Sequence, residues 1–285
     1  MGKVFIIDGH NLLFRMFYGM PNKIYSKSGN CIHGIIGFIG AINKMIKEYK
    51  PDSLIVVFDS QEGSAKMEDE RYKKNRILDF SHLPDDENPF SQFEDIIKCL
   101  DLLGITHIEI PGQEADDIIC TLAKQYSIAN EVVIVSTDKD FLQVINNQIN
   151  VLSPRGKLSI LYTPNVFYEK FGIQVCQYTD FKVLVGDPSD NIDGIFGIGN
   201  KTAVNLLTQF GTLDNVYENL GLLSVRVVRL LVEGREKVQK NSELLKINSD
   251  IELNISLCDL GYLANFKTMD IVNKVVEDEQ MLMRR

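Results

Sequence analysis

Nine carboxylates fall into five short segments of this chain: Asp8 in FIIDG, Asp59 in VVFDS, Glu114, Asp116 and Asp117 in QEADD, Asp138 and Asp140 in STDKD, and Asp187 and Asp190 in GDPSD. No paired His or Cys accompanies them, so they form a set of hard oxygen donors suited to Mg²⁺ or Mn²⁺ rather than zinc. Nine are too many for one ion. Two ions about 4 Å apart would clamp the attacking and leaving oxygens of a phosphodiester. A single Asp after a strand is ordinarily a turn residue or helix N-cap. Three acids within four residues, as in QEADD, exceed what capping needs and repel one another. The spacing of two in STDKD puts both carboxylates on one side of an extended segment. The spacing of three in GDPSD puts them on one face of a helical turn.

The elements that must position these groups follow from the apolar pattern. KVFII (3–7), SLIVVF (53–58), HIEI (107–110) and EVVIVS (131–136) read as buried strands. GIIGFIGAINKMIKEY and FEDIIKCLDLLG read as helices, the second closed by Gly104. Alternating strands and helices imply an α/β fold with a mostly parallel central sheet covered on both faces. Asp8, Asp59 and Asp138 then sit just beyond strand carboxyl ends, where open parallel sheets carry their sites. After about residue 162 the strand signal gives way to helical segments, which predicts an α/β domain over 1–162 and a smaller helical region over 163–285.

Composition bounds the partners. The chain has 285 residues and a net charge of −9, which at face value opposes a nucleic-acid ligand. Setting the nine clustered acids aside from the 39 Asp and Glu leaves 30, matched by 30 Lys and Arg. The acidity is therefore largely that of the cluster, and KMEDERYKKNR (66–76) offers a basic track around Tyr72. Five scattered cysteines without a CxxC pair indicate neither a disulfide framework nor a zinc site. No apolar run approaches the roughly 20 residues of a membrane span, so a cytoplasmic protein is expected.

The series IIDGHNLLFR, VVFD, YKKNR, GQEADD, VSTDKDFLQVI and KVLVGDPSDNIDGIFGIGNKTA, in this order and spacing, resembles the 5′ nuclease (flap endonuclease) family. That family includes the 5′-3′ exonuclease domain of bacterial DNA polymerase I and free-standing phage and bacterial 5′ nucleases. The resemblance implies Asp8, Asp59, Glu114 and Asp116 around a first Mg²⁺, and Asp138, Asp140, Asp187 and Asp190 around a second, with Asp117 alongside. Mn²⁺ would be a possible substitute. It also implies a helical arch at about 63–90, where Lys73 and Arg76 stabilise charge on the scissile phosphate and Tyr72 stacks on a base. Arg15 and Lys66 would contact DNA phosphates. An extended helix-turn-helix at about 180–212, with Gly194, Gly197, Gly199, Lys201 and Thr202, would grip duplex backbone, often through K⁺.

The implied activity is two-metal hydrolysis of DNA at a 5′ end or 5′ flap, in replication, repair or RNA primer removal, by a monomer with no membrane association. Three alternatives share parts of the pattern. A PIN-like ribonuclease would keep the acids and lack the GIFGIGNKTA turn. A small-substrate phosphatase would leave turn and arch without a purpose, and a non-catalytic DNA-junction binder would not need the full acid set. The family's usual Phe-Arg ahead of the arch is Ala65-Lys66 here, and its usual Pro after DNI is Asp193. Lys offers one point charge where Arg offers a bidentate fork.

Overall fold

The computed structural model of this chain describes residues 2–60, 80 and 82–282. Its frame is a six-stranded sheet in the order β3-β2-β1-β4-β5-β6. The strands are β1 (Lys3–Asp8), β2 (Ser53–Phe58), β3 (Thr106–Glu109), β4 (Glu131–Val135), β5 (Ile149–Ser153) and β6 (Ile160–Tyr162). The first five run parallel, and β6 returns antiparallel against β5. The four expected strands are present within a residue of their expected ends. β5 and β6 were not expected: β5 is one short run, and β6 is a three-residue edge strand that gains its register only from pairing with β5.

β1 lies between β2 and β4, with Ile6 opposite both Ile55 and Ile134. The strand order reverses direction at this point, opening a crevice at the carboxyl ends of β1 and β4. Apolar side chains alternate across the two faces, as strands buried on both sides require. Phe5, Ile7, Val56, Phe58 and Val135 pack with the helices α1 (Gly9–Gly19), α2 (His33–Tyr49) and α3 (Phe93–Leu102). Val4, Ile6, Val57 and Ile134 pack on the other face with α4 (Ala115–Tyr126). Gly104 has a φ of +64° just past α3, the left-handed position in which a helix-ending glycine is favoured.

The second region contains α5 (Pro164–Phe171), α6 (Tyr178–Val185), a short hairpin of β7 (Gly186–Asp187) and β8 (Ile192–Asp193), then α7 (Asn200–Phe210), α8 (Leu213–Glu218), α9 (Val225–Glu233) and α10 (Arg235–Leu244). Its apolar residues, among them Leu184, Ile195, Leu207 and Leu231, join the core on the α4 face of the sheet. The helical region is thus built onto the sheet through one continuous core. The last helix, α11 (Thr268–Leu282), returns to the opposite face, where Val272 and Val275 join the α2–α3 core. Asn43 Nδ2 on α2 donates to Phe266 O (3.3 Å) and Thr268 Oγ1 (3.2 Å), fixing that return.

Candidate metal centre

Asp8 is the last residue of β1 and the N-cap of α1: its Oδ1 accepts from Asn11 N at 3.1 Å. Its other oxygen, Oδ2, accepts from Ser136 Oγ at 2.8 Å across the switch point. Capping and site placement therefore coexist in one side chain. The same Ser136 Oγ accepts the Asp138 N–H at 3.0 Å, which orients the chain leaving β4. Asn11 Oδ1 accepts from Thr137 N (3.0 Å) and Thr137 Oγ1 (2.9 Å), closing a polar collar around the ends of β1 and β4.

Burial pushes the Asp8 carboxyl up to about 7, with the neighbouring charges of Asp59 and Asp138 adding to the shift and bonds from Ser136 and Asn11 opposing it. Asp59 Oδ1 accepts from Ala115 N at 2.9 Å, tying the end of β2 to the first turn of α4. The Asp59 N–H donates to His10 Nδ1 at 3.0 Å. Glu114 is buried at the start of α4, with Asp116 half-buried in its first turn. Asp117 accepts from Asn248 N at 2.9 Å, linking α4 to the chain beyond α10.

STDKD does not run as an extended segment. Asp138 Oδ1 accepts the Asp140 N–H at 2.9 Å and Asp140 opens a 3-10 turn over Asp140–Val144, so the segment bends after Asp138. The cause is local: an Asp side chain satisfying a backbone N–H two residues on competes with an extended backbone. Asp138 lies close enough to raise Asp8, while Asp140 turns toward the helical region. Asp138 joins the two halves of the centre electrostatically.

In GDPSD, Asp187 ends β7 and caps the 3-10 turn Pro188–Asp190, its Oδ1 accepting from Ser189 N at 2.9 Å. Asp140, Asp187 and Asp190 converge, with ligand oxygens all within 4.8 Å of one another. No other trio closes to that distance among the described residues. Asp190 is 1% exposed. Burial pushes Asp140 up to about 6, Asp138 and Asp190 adding to it and Lys182 opposing it. For Asp187, burial also raises the carboxyl, and Lys182 together with Ser189 outweighs it, leaving it below the usual carboxylate range.

Lys182 was not anticipated from sequence. It lies on α6 at 4% exposure, and its ammonium contacts Asp140 Oδ1 and Asp187 Oδ2, the latter at 2.7 Å. Burial pulls this ammonium down, and Asp140 and Asp187 more than reverse the effect, holding it above the ordinary lysine range. The available signal was a lysine inside the apolar run FKVLV, five residues ahead of Asp187. The trio fits a divalent cation by two observations: its donors are all carboxylate oxygens, and a cationic group already bridges two of them.

The turn following the trio is shaped by glycine. Gly186 has φ +83° and ψ 174°, and a Cβ there would lie 2.3 Å from Gly194 N. A Cβ on Gly194 would lie 2.2 Å from the Val185 carbonyl carbon. These two residues are glycine because the chain entering β7 and the chain leaving β8 lie in backbone contact. Gly197 adopts φ +87°, and Gly199 caps α7, where Lys201 and Thr202 lie in the first turn. Asn241 Nδ2 on α10 donates to Val183 O (3.2 Å) and Asp193 O (3.0 Å), so the place of Asp193 is fixed through its backbone while its side chain is exposed.

Arg15 is half-buried on α1, and burial first, then the nearby Arg155, lowers its pKa. Arg155 follows β5 and brings a second guanidinium to the same side as Arg15. Lys66, Tyr72, Lys73 and Arg76 lie outside the described residues, as does most of the expected arch.

Comparison with known proteins agrees with this construction. Residues 3–172 match the family model of the 5′-3′ exonuclease N-terminal resolvase-like domain, and residues 173–268 match that of the 5′-3′ exonuclease C-terminal SAM fold. The chain is 36% identical over 259 residues to the thermostable DNA polymerase I of Thermus thermophilus, covering 90% of this chain and 30% of that protein. It is 35% identical over 256 residues to DNA polymerase I of Mycobacterium tuberculosis, covering 87% of this chain and 27% of that one. The chain thus spans about 30% of the length of the curated relatives it matches.

Among solved structures, the fold is similar to bacteriophage T5 flap endonuclease in a pseudo-enzyme-product complex with DNA and metal ions. The TM-score is 0.71 at 22% identity, over 99% of this chain and 100% of that one. It is also similar to the catalytic core of Rad2 with DNA substrate, with a TM-score of 0.60 at 15% identity, over 97% and 87% of the two chains. Two contiguous family models and a shared fold, met by carboxylates at the switch point of the sheet, place the chain in the 5′-3′ exonuclease family.

Proposed function

We propose that the chain is a structure-specific 5′ nuclease that hydrolyses phosphodiester bonds of DNA near a 5′ end or 5′ flap. The observation that carries this reading is the meeting of acids from two strand ends, β1 and β4, with acids from the β7–β8 hairpin of the helical region. Asp8, Asp59, Glu114 and Asp116 would hold one Mg²⁺, or Mn²⁺ in its place, and Asp138, Asp140, Asp187 and Asp190 the other. When bound, such a pair of ions supplies charge stabilisation for an in-line displacement and lowers the pKa of the attacking water.

The chain's own residues do the rest. Ser136 and Asn11 orient the Asp8 carboxylate, and His10 holds the backbone N–H of Asp59; the carboxylates must be deprotonated to bind. Burial of the trio excludes bulk water and strengthens every interaction within it. In this reading residues 1–162 form the catalytic unit and 163–285 hold the duplex. The turn ending at Gly199 and the N-terminus of α7, with Lys201 and Thr202, would face backbone phosphates, N–H groups and the lysine contacting them directly and carbonyl oxygens of the turn taking a K⁺ that bridges to them. Lys73, Arg76 and Tyr72 would act on the scissile strand. The chain would work as a cytoplasmic monomer; among the described residues no helix is long and apolar enough to cross a membrane.

The test is a 5′-labelled flap DNA incubated with Mg²⁺ or with EDTA. Mg²⁺-dependent release of short 5′ fragments is expected. Asp138→Ala should reduce cleavage by more than the roughly 10- to 100-fold that loss of an outer hydrogen-bond partner costs. Cleavage that persists in EDTA or survives this substitution would sink the two-metal reading. A preference for RNA would favour the ribonuclease alternative, and tight junction binding without turnover would favour the non-catalytic one.

A further inference from the structure

Lys182 is the one buried lysine among the described residues, and it sits between two carboxylates that the proposed function gives to a metal ion. Its side chain is 5% exposed and those of both partners 11%, so in this state it does not reach a DNA strand. Three acids whose oxygens lie within 4.8 Å of one another repel strongly in a dry environment. An ammonium within hydrogen-bonding distance of two of them offsets that repulsion.

We propose that Lys182 is an internal counter-ion of the second cation site: it holds Asp140 and Asp187 together in the metal-free protein and competes with the divalent ion for them. This deepens the two-metal reading and rests on it. Two consequences follow from charge alone. The trio with Lys182 carries one negative charge fewer than the trio without it, so a divalent ion binds more weakly than three carboxylates would allow. The site is also formed before the ion arrives, because the carboxylates are already drawn together. Lys182 acts through Asp140 and Asp187, and is a positioning residue rather than a catalytic one.

The experiment uses the full chain stripped of metal and titrated with Mn²⁺, with binding followed by calorimetry and electron paramagnetic resonance. Wild type should bind two ions of unequal affinity. Lys182→Met should bind the weaker ion at least about tenfold more tightly, since a unit charge at hydrogen-bond distance is removed at the effective dielectric of a protein. The same variant should melt below wild type without metal and recover at saturating Mn²⁺. Lys182→Arg should restore wild-type affinity.

A Lys182→Met protein that binds the second ion equally or more weakly would overturn the counter-ion role. Wild type that binds no Mn²⁺ would instead overturn the metal reading itself. Should Lys182→Met fail to fold, the wild-type lysine Nζ groups can be followed by ¹⁵N NMR during a Mg²⁺ titration, with Lys182→Arg assigning the signal. A Lys182 resonance that shifts with occupancy of the second site supports the competition, and one that stays fixed through saturation refutes it.

Discussion

Ser136 Oγ donates to Asp8 Oδ2 across 2.8 Å, so the ends of β1 and β4 are joined by side chains where the backbone ladder stops. The same hydroxyl accepts the Asp138 N–H. One serine therefore orients an acid from each half of the centre. Replacing it with alanine leaves Asp8 buried without that donor and frees the chain at Asp138. Ser136→Ala should weaken divalent-ion binding by roughly 10- to 100-fold while cleavage at saturating Mg²⁺ stays close to wild type. Calorimetric Mn²⁺ titration measures the first, and flap cleavage at rising Mg²⁺ the second.

The buried acids set a pH dependence whose sign can be worked out. Asp8 is raised from 3.8 to about 7 and Asp140 from 3.8 to about 6. A carboxyl raised by folding binds its proton more tightly in the folded chain. The stability it contributes is present below 3.8 and is lost as pH climbs through 6 and 7. The metal-free protein should accordingly lose Tm between about pH 4 and 7, and saturating Mg²⁺ should remove that decline. Asp8→Asn, which cannot ionise, should show a flatter metal-free profile than wild type. Thermal melts in metal-free buffer with and without added Mg²⁺ decide it. An identical slope in the variant would show that Asp8 is not the source.

Gly186 and Gly194 cross at backbone contact, so neither tolerates a side chain. An alanine at 186 must adopt a φ of +83° with ψ near 174° and also place its Cβ against Gly194 N. That conformation alone costs on the order of 1–3 kcal/mol. Gly186→Ala should lower stability by at least this amount and, because Asp187 is the next residue, weaken Mn²⁺ binding at the trio. Gly199→Ala, with open space around its Cβ, should leave the fold and the trio intact. Denaturant unfolding of the two variants side by side separates strain from mere loss of a glycine.

Phe196 is 93% exposed in the turn between β8 and α7, while Ile195 and Ile198 on either side of it are buried. The two isoleucines hold the turn in place and leave the ring outside. A turn that receives duplex backbone would press this ring against sugar rather than phosphate. Phe196→Ala should weaken duplex binding without changing its salt dependence, whereas Lys201→Ala should reduce the slope of log affinity on log salt by about 1. The chain contains no tryptophan, so Phe196→Trp provides a single fluorophore. Its emission should change on adding duplex DNA. An unaltered spectrum under conditions of saturated binding would remove this turn from the interface.

What the sequence by itself determined was the set of acids, their order and the frame that carries them. Short apolar runs specified buried strands at four places, their alternation with helices made them parallel, and an acid after a buried parallel strand falls at the carboxyl edge whatever the loops do. The helical region was equally legible from its apolar spacing. β5 and β6 were not, because strands of five and three residues near a sheet edge draw their definition from partners distant in sequence.

Tertiary structure decided which acids meet. Asp138 and Asp140 are two residues apart and do not lie along an extended segment, since an Asp side chain captures a backbone N–H and bends the chain; of the two, Asp140 joins the close trio. Asp140 and Asp187 are 47 positions apart and converge, because α6 docks its β7–β8 hairpin over the end of β4 and brings Lys182 between them. That lysine had no signature in the pattern of acids. Its role arises from burial and proximity, and these are properties of the folded chain alone.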